Sequence, residues 1–218
     1  MNNPDFISAL KWAESHPLSS TADALNIYFD VCCGSVLEAE ERMREQRGQW
    51  EITSLTEYCL KYATYLEGFD HMINQIYAVL NRLAKCIYER PRLKMKVLRL
   101  LLTVLRRIEA QSGHELGITE DVAHDLRFIE RNIEFADHNK LDQIREEGHL
   151  HHDPIEWTAR WEEVIDETDR LVDEALEDQP RGMGFCHAVW HTRAEILRTR
   201  FNLRWRSPAL MNPRVMFD

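Results

Sequence analysis

Apolar residues recur every three or four positions along most of the chain, which is the spacing of amphipathic helices. The clearest run starts at Leu55 and continues at alternating steps of three and four to Ile87, close to a heptad repeat. This run predicts one long helix over about 54–90, with Ser54 and Glu57 as a capping box at its start. Such a helix would form the spine of a helical bundle.

The remaining apolar periodicity predicts further helices, separated by glycine, proline and capping residues. They are expected at 4–15, 21–47, 92–112, 119–147, 154–178 and 184–206. Gly34 falls inside the second of these segments and indicates either a break or a close approach of another segment. The end of the chain contains two prolines and three large apolar residues, which predict an ordered, extended tail. The sequence therefore predicts an all-α bundle of about seven helices in a single domain over 1–218.

Charge is distributed unevenly along a chain whose net charge is −10. Residues 82–107 carry a net charge of +8, whereas residues 108–179 carry −16. On a helical wheel, the cations of 92–107 other than Lys94 gather on one side of a helix that is otherwise almost entirely apolar. This basic side consists of Arg92, Lys96, Arg99, Thr103, Arg106 and Arg107. We expect a central helix whose basic side faces water or the acidic helices. The alternative is a helix on a membrane surface or in a partner's groove.

Three arginines of the last predicted helix fall in the middle of its apolar face. Arg193, Arg200 and Arg204 lie within about 40° of one another on the wheel. Because an unpaired buried charge costs several kcal/mol, inward-facing arginines need carboxylate partners. Glu130 and Asp137 lie together at the edge of an apolar stripe and are the predicted partners. The alternative is a basic cleft that binds phosphate or nucleic acid.

Histidines and nearby carboxylates occur in two groups whose spacing suits a metal ion: His187, His191 and Glu195 in the last predicted helix, and His149, His151 and Asp153 in the connection before residue 154. The spacing of four in the first group places its members on one helical face. A zinc site that takes ligands from both groups is the metal hypothesis. The competing interpretation is a solvated helix face and a polar connector, with Asp153 acting as a helix cap.

The stretch RNIEFADH, from Arg131 to His138, resembles the R-N-x-x-x-x-H type of signature found in helical HEPN ribonucleases. The resemblance covers eight residues, and no family is assigned from it. It implies a ribonuclease in which the arginine stabilises charge on the reacting phosphate while the histidine transfers a proton. Together with a metal-dependent hydrolase, this is the enzymatic alternative.

Cysteine use and hydropathy bear on where the protein acts. The five cysteines include an adjacent pair but no C-x-x-C, which favours reduced thiols. The first residues lack a signal-like run, and the longest apolar stretch is interrupted by Arg99. We therefore expect a cytoplasmic protein without a transmembrane segment.

The interpretation that fits these patterns best is a non-enzymatic helical scaffold, adaptor or regulatory protein. It would bind a protein partner or itself, with no cofactor apart from the zinc alternative. An anion or nucleic-acid binder that uses the basic helices is a further alternative. The overall acidity of the chain disfavours nucleic acid, because the surrounding carboxylates repel phosphate.

Overall fold

The structure, a computed structural model, describes residues 4–217. Over these residues the chain is all-α, as predicted, with nine α-helices and no strand. The helices are α1 (Pro4–Ser15), α2 (Ala22–Glu45), α3 (Ile52–Leu66), α4 (Ile73–Cys86), α5 (Pro91–Ser112), α6 (Gly117–Asp137), α7 (Ala159–Ala175), α8 (Phe185–Arg200) and α9 (Pro208–Met211). Short 3-10 turns lie at Gln49–Glu51, Asp70–Met72, Leu141–Gln143 and Pro154–Trp157. Within the same residues, no helix has the length and apolar content needed to cross a bilayer.

The described residues group into two compact units, where the sequence indicated a single domain over 1–218. The first unit consists of residues 4–46, 51–88 and 93–129, and it contains α1 to α4 and most of α5. The second unit consists of residues 47–50, 89–92 and 130–217, and it contains α7, α8 and α9.

In the first unit, α2 packs against α1, α3 and α4. Gly34 of α2 faces Phe6 of α1 so closely that a Cβ on residue 34 would lie 2.8 Å from the Phe6 Cβ. The glycine thus marks a close approach, and α2 continues through it without a break. Tyr28 of α2 and Tyr62 of α3 are fully buried, and their ring centroids lie 5.1 Å apart.

The single long helix predicted over 54–90 is corrected by the structure to two helices. α3 ends at Leu66, and Phe69 has an extended backbone with φ −110° and ψ 114°. Gly68 lies between them, and glycine is the weakest helix former after proline, which favours a break here. α4 ends at Cys86, and Ile87 is again extended. Apolar spacing reports which side chains face a core, and it continues across a turn whose flanking helices face the same core.

Arg107 of α5 stabilises this turn. Its guanidinium donates to the Glu67 carbonyl and to the Gly68 carbonyl, and it pairs with the carboxylates of Glu67 and Asp70. The last carbonyls of a helix have no partner within the helix, so a guanidinium that donates hydrogen bonds to them stabilises the helix end. One member of the predicted basic side of 92–107 is therefore a cap for another helix.

Two further predicted helices are shorter than the sequence indicated. The segment 119–147 is helical only as far as Asp137, because Asn139 adopts a left-handed backbone with φ 57°. The segment 154–178 begins with a 3-10 turn capped by Asp153, as its sequence predicted, and α7 starts only after Thr158. The Thr158 hydroxyl accepts the Trp161 N–H at 3.2 Å and caps this second start. α3 likewise begins before Ser54, so the predicted capping box does not form.

The core of the second unit is built where α7 packs against α8. Trp161 is fully buried there and packs with Trp205, whose ring centroid lies 5.9 Å away. The cluster also contains Val164, Ile165, Leu197 and Leu203.

Of the three apolar residues that predicted an ordered C-terminal segment, Phe217 packs against Trp190 of α8, with ring centroids 5.0 Å apart, and the other two are exposed. Leu210 and Met216 are 71% and 95% exposed, whereas Trp205 and Asn212 are buried. The Asn212 side-chain amide accepts the His151 N–H and donates to the His151 carbonyl, each at 2.8 Å. The segment also contains the short helix α9, so it is only partly extended.

Replacing Gly34 with alanine is expected to destabilise the first unit by about 1–3 kcal/mol, because the new methyl group overlaps the Cβ and Cγ of Phe6. Urea denaturation followed by circular dichroism measures this. Gly117→Ala is the matched control, since a Cβ there meets nothing within 4 Å. Equal stabilities of the two variants would contradict the close approach of α1 to α2.

Candidate functional site: a buried charge cluster

The second unit contains a buried charge cluster centred on Asp169 of α7. One carboxylate oxygen of Asp169 accepts from Arg90 Nη2 at 2.9 Å, and the other accepts from Arg193 Nη2 at 2.8 Å. These three side chains are no more than 6% exposed. A single buried carboxylate therefore bridges two guanidinium groups that come from distant parts of the chain.

Two further carboxylates complete the pairing of these arginines. Arg90 lies 2.7 Å from Asp166, and Arg193 donates to Glu89 Oε2 at 2.8 Å. The guanidinium carbon of Arg193 also lies 5.5 Å from the ring centroid of Trp205, within range of a cation–π interaction. Burying an ion costs several kcal/mol, and this cost is offset only where the charge is paired and hydrogen-bonded, as it is here.

Local sequence explains how these groups come together. α4 ends at Cys86, Glu89 adopts a left-handed backbone with φ 55°, and Pro91 begins α5. A residue before proline is biased away from the helical region, which favours a non-helical Arg90. The Trp161 indole N–H donates to the Glu89 carbonyl at 2.7 Å and fixes this bend. The bend directs two oppositely charged neighbours into the same cluster.

Burial and the charge of Arg193 shift the pKa of Glu89 in opposite directions. Burial is the largest influence and raises the pKa of its carboxyl, while the charge of Arg193 opposes this rise. The negative charges of Glu156 and Asp169 add to the rise, and the pKa of Glu89 ends above its ordinary value. For Arg193, burial lowers the guanidinium pKa, but the charges of Asp169 and Glu89 outweigh it and the pKa is raised. Arg193 is therefore a permanent cation.

A histidine and a buried glutamate extend the cluster to the surface. Glu156 Oε1 accepts the Trp205 indole N–H at 2.7 Å, and Glu156 Oε2 lies 3.5 Å from His152 Nδ1. The Glu156 side chain is 7% exposed, whereas that of His152 is 50% exposed. The hydrogen bond to Glu156 raises the pKa of His152, and the charges of Glu89 and Glu146 add to this. His152 can exchange a proton with solvent while it faces buried carboxylates.

Of the three arginines predicted to face inward, the structure buries Arg193 and exposes the other two. Arg200 is 58% exposed and lies 3.6 Å from Glu167. Arg204 is exposed because α8 ends at Arg200 and the helical wheel does not apply beyond that residue. Asn202 turns the chain with a left-handed φ of 52°.

The predicted carboxylate partners of Arg193 are also corrected. Asp137 pairs with Arg92, and Glu130 is partly exposed on α6. The actual partners are Glu89 and Asp169. Asp169 carried a detectable signal in the sequence, because it lies four residues after Ile165 and three before Val172, within the apolar stripe of α7. Glu89 carried none, because its position depends on an irregular bend.

The residues predicted to bind zinc are occupied by other contacts or lie apart. His151 Nδ1 bonds to Glu146, and Asp153 caps the 3-10 turn and pairs with Arg206 at 3.1 Å. The others, all exposed, are His149, His187, His191 and Glu195. Across residues 4–217, no three of these six ligands approach closely enough to share one ion. A zinc site built from them stays a prediction.

The residues that resemble a HEPN signature lie on the surface of α6. Arg131 and His138 are exposed. Asn132, between them in the chain, is fully buried, and its amide donates to the Arg145 carbonyl at 2.8 Å and accepts the Arg145 N–H at 3.1 Å. This asparagine therefore holds the loop that follows α6.

The middle of the predicted basic side of α5 stays exposed. Its ends are paired within the chain, Arg92 with Asp137 and Arg107 with Glu67 and Asp70. The four positions between these ends are exposed, and we refer to them as the basic ridge: Lys96, Arg99, Thr103 and Arg106. The ends of the basic side thus serve the fold of this chain, whereas its middle is accessible to solvent.

Comparison of the chain with protein-family models, curated proteins and solved structures finds no match. Function is therefore inferred from the residues of this chain.

Replacing Arg193 with methionine is expected to destabilise the second unit by about 3–5 kcal/mol, because it removes the charge-paired donor of Glu89 and leaves the buried Asp169 with Arg90 as its remaining cation. Chemical denaturation followed by tryptophan fluorescence measures the loss. Arg204→Met, which changes an exposed arginine just beyond α8, serves as the control and should change stability by less than about 0.5 kcal/mol. Similar stabilities of the two variants would show that the cluster contributes nothing.

His152 should make the stability of the second unit depend on pH. Because its pKa is raised in the folded protein, its stabilisation is complete below the ordinary value of 6.5 and is lost as pH rises through the folded value. We expect the free energy of unfolding to fall between pH 6 and pH 8, and His152→Gln to reduce this fall by a few tenths to about 1 kcal/mol, since the ring is half exposed. Urea denaturation at both pH values measures the difference. An unchanged pH dependence in the variant would exclude the His152–Glu156 interaction.

Proposed function

We propose that this protein is a non-enzymatic helical scaffold or adaptor that acts through protein–protein contacts. The observation that carries the proposal is the division of its cations. Arg90 and Arg193 form buried ion pairs with carboxylates of the same chain, whereas the basic ridge of α5 faces solvent on a protein whose net charge is −10.

The pairing within the cluster supports a structural role for it. Arg193 donates to Glu89 and to Asp169, and Arg90 contacts Asp166 and Asp169. A phosphate that approached either Nη group of Arg193 would have to displace a carboxylate held at 2.8 Å. Such a displacement would leave a buried anion unpaired, which costs several kcal/mol. The cluster therefore favours rigidity of the second unit over anion binding.

The basic ridge supports a surface role. It spans about 15 Å of helix at about 1.5 Å per residue, the length of a contact with one helix of a partner. Cations here attract acidic groups at short range, while the acidity of the whole chain repels long polyanions such as nucleic acid. An acidic protein segment is the partner that satisfies both conditions.

We also propose that the protein acts in the cytoplasm, on the basis of its cysteines. All five cysteines are free thiols, and burial raises the pKa of both Cys33 and Cys86 to about 11. Thiols of this kind stay protonated and unreactive in a reducing compartment.

Site-specific photocrosslinking in cells tests the proposal. A photoreactive residue in place of Thr103, at the centre of the basic ridge, is expected to capture partner proteins. The same residue in place of Lys11, an exposed position on α1, is the positional control. Capture should be lost when Lys96→Glu and Arg106→Glu are added, because the changes replace attraction by repulsion. It should persist with Lys11→Glu and Lys140→Glu, which alter net charge equally.

Two results would contradict the proposal. One is capture at residue 103 that does not respond to the ridge substitutions. The other is cleavage of RNA by the purified protein that is abolished by Arg131→Ala or His138→Ala, which would favour the ribonuclease alternative.

A further inference from the structure

Four exposed apolar side chains lie in and beside the C-terminal segment, and we refer to them as the apolar patch: Leu150, Leu210, Val215 and Met216. The last three lie within seven residues of one another in the chain. The Asn212 amide, which binds the backbone of His151, places Leu150 next to them. Other exposed large apolar residues of the described chain, such as Leu18 and Leu37, lie singly. Single exposed apolar residues are normal, whereas a group of them marks an interaction surface.

The backbone that carries the patch is fixed by buried or packed anchors. Trp205 is 6% exposed and Asn212 is 5% exposed. Phe217, which directly follows Met216, packs against Trp190 of α8. A partner would therefore bind a preorganised surface, which lowers the entropic cost of association.

The free charge beside the patch is positive. Arg204 and Arg214 are exposed, and their guanidinium groups form no hydrogen bond or ion pair with the part of the chain that the structure describes. Arg214 directly precedes Val215, and Arg204 lies in the same C-terminal segment. The carboxylates of residues 146–156 all have partners within the chain, among them Glu146 with His151, Asp153 with Arg206, and Glu156 with Trp205. Two arginines thus remain available to carboxylates of a partner.

We propose that the apolar patch binds a segment of another protein that presents apolar side chains beside carboxylates. The apolar side chains cover the patch, and the carboxylates pair with Arg204 and Arg214. This inference goes beyond the proposed function, because the patch shares no residue with the basic ridge and its partner is apolar as well as acidic. An adaptor joins two partners, and two surfaces of different chemistry select different ones.

The chemistry of the chain favours a short protein segment over a membrane or a second copy. A membrane-bound helix buries a long apolar face, whereas α9 comprises only four residues. An anionic membrane, or another copy of this chain, also meets the whole net charge of −10 and is repelled at long range. A short acidic segment meets mainly the local arginines.

Selection of random peptides displayed on phage, with the full-length protein as bait, tests the proposal. We expect enrichment of sequences that combine large apolar residues with aspartate or glutamate. No enrichment, or enrichment of sequences without carboxylates, would overturn the proposal.

Fluorescence anisotropy with a synthetic peptide of the enriched sequence locates its site. Leu210→Ser/Met216→Ser should weaken binding by about tenfold or more, the effect of losing one or more buried apolar side chains. The matched control Leu37→Ser/Met183→Ser removes one exposed leucine and one exposed methionine elsewhere and should bind like the wild type. Circular dichroism verifies that each variant is folded. Equal affinities of the two variants would overturn the proposal.

The contribution of charge is measured with the same peptide. Arg204→Gln/Arg214→Gln should weaken binding by about two- to tenfold and reduce its salt dependence, since exposed ion pairs contribute modestly and are screened by salt. Lys11→Gln/Lys140→Gln carries the same change in net charge at exposed positions outside the patch and should leave the affinity unchanged. An unaltered affinity of the arginine variant would contradict the acidic character of the partner.

Two further measurements separate the other occupants of the patch. Binding to phosphatidylcholine–phosphatidylserine vesicles that Leu210→Ser/Met216→Ser abolishes would identify a membrane surface. Self-association in sedimentation velocity that the same variant abolishes would identify a second copy. Either result would overturn the inference. Photocrosslinking at residue 103 involves no residue of the patch, so failure of this inference and failure of the proposed function are distinguishable.

Discussion

The bridge from Asp169 to Arg90 and Arg193 is the interaction on which the second unit depends. It joins the bend after α4 to α7 and α8, three segments far apart in sequence, through groups that are almost completely buried. Around it pack Trp161 and Trp205, whose indole N–H groups donate to the Glu89 carbonyl and the Glu156 carboxylate. The core of this unit thus combines apolar packing with fixed charge. The two Nη groups of Arg193 and the two oxygens of Asp169 each have a hydrogen-bond partner in this arrangement, which fixes the relative position of these side chains.

The same constraint divides the basic residues of the chain into two groups. Arg107 and Arg92, like the buried arginines, satisfy carbonyls or carboxylates of their own chain. The exposed Lys96 and Arg106 do not serve the fold in this way. The function that we propose for this row is to bind acidic protein segments. Arg92 and Arg107 lie on the same helix as Lys96 and Arg106, which explains why composition alone does not separate the two groups.

Regular helical geometry was predictable from this sequence, and irregular geometry was not. The spacing of apolar residues predicted α5 to within a residue. Asp153 was correctly predicted to be a helix cap. Of the two interpretations of Gly34, a break or a close approach, the close approach is correct. The break at Gly68 was not predicted, because the apolar spacing continues across it. Glu89 was not predicted as a partner of Arg193, because it reaches Arg193 only through a left-handed bend. A helical wheel extended past the end of α8 likewise placed Arg204 inside, although it is exposed.

A double-mutant cycle between Arg193 and Asp169 measures how strongly these two buried charges stabilise one another. The free energy of unfolding is measured for Arg193→Met, Asp169→Asn and the double variant. The account predicts that the double variant loses less stability than the sum of the single variants, by about 1–3 kcal/mol, because each single change leaves the other group buried without its partner. Additive losses would contradict it, since they would mean that these two charges do not stabilise one another in the folded protein.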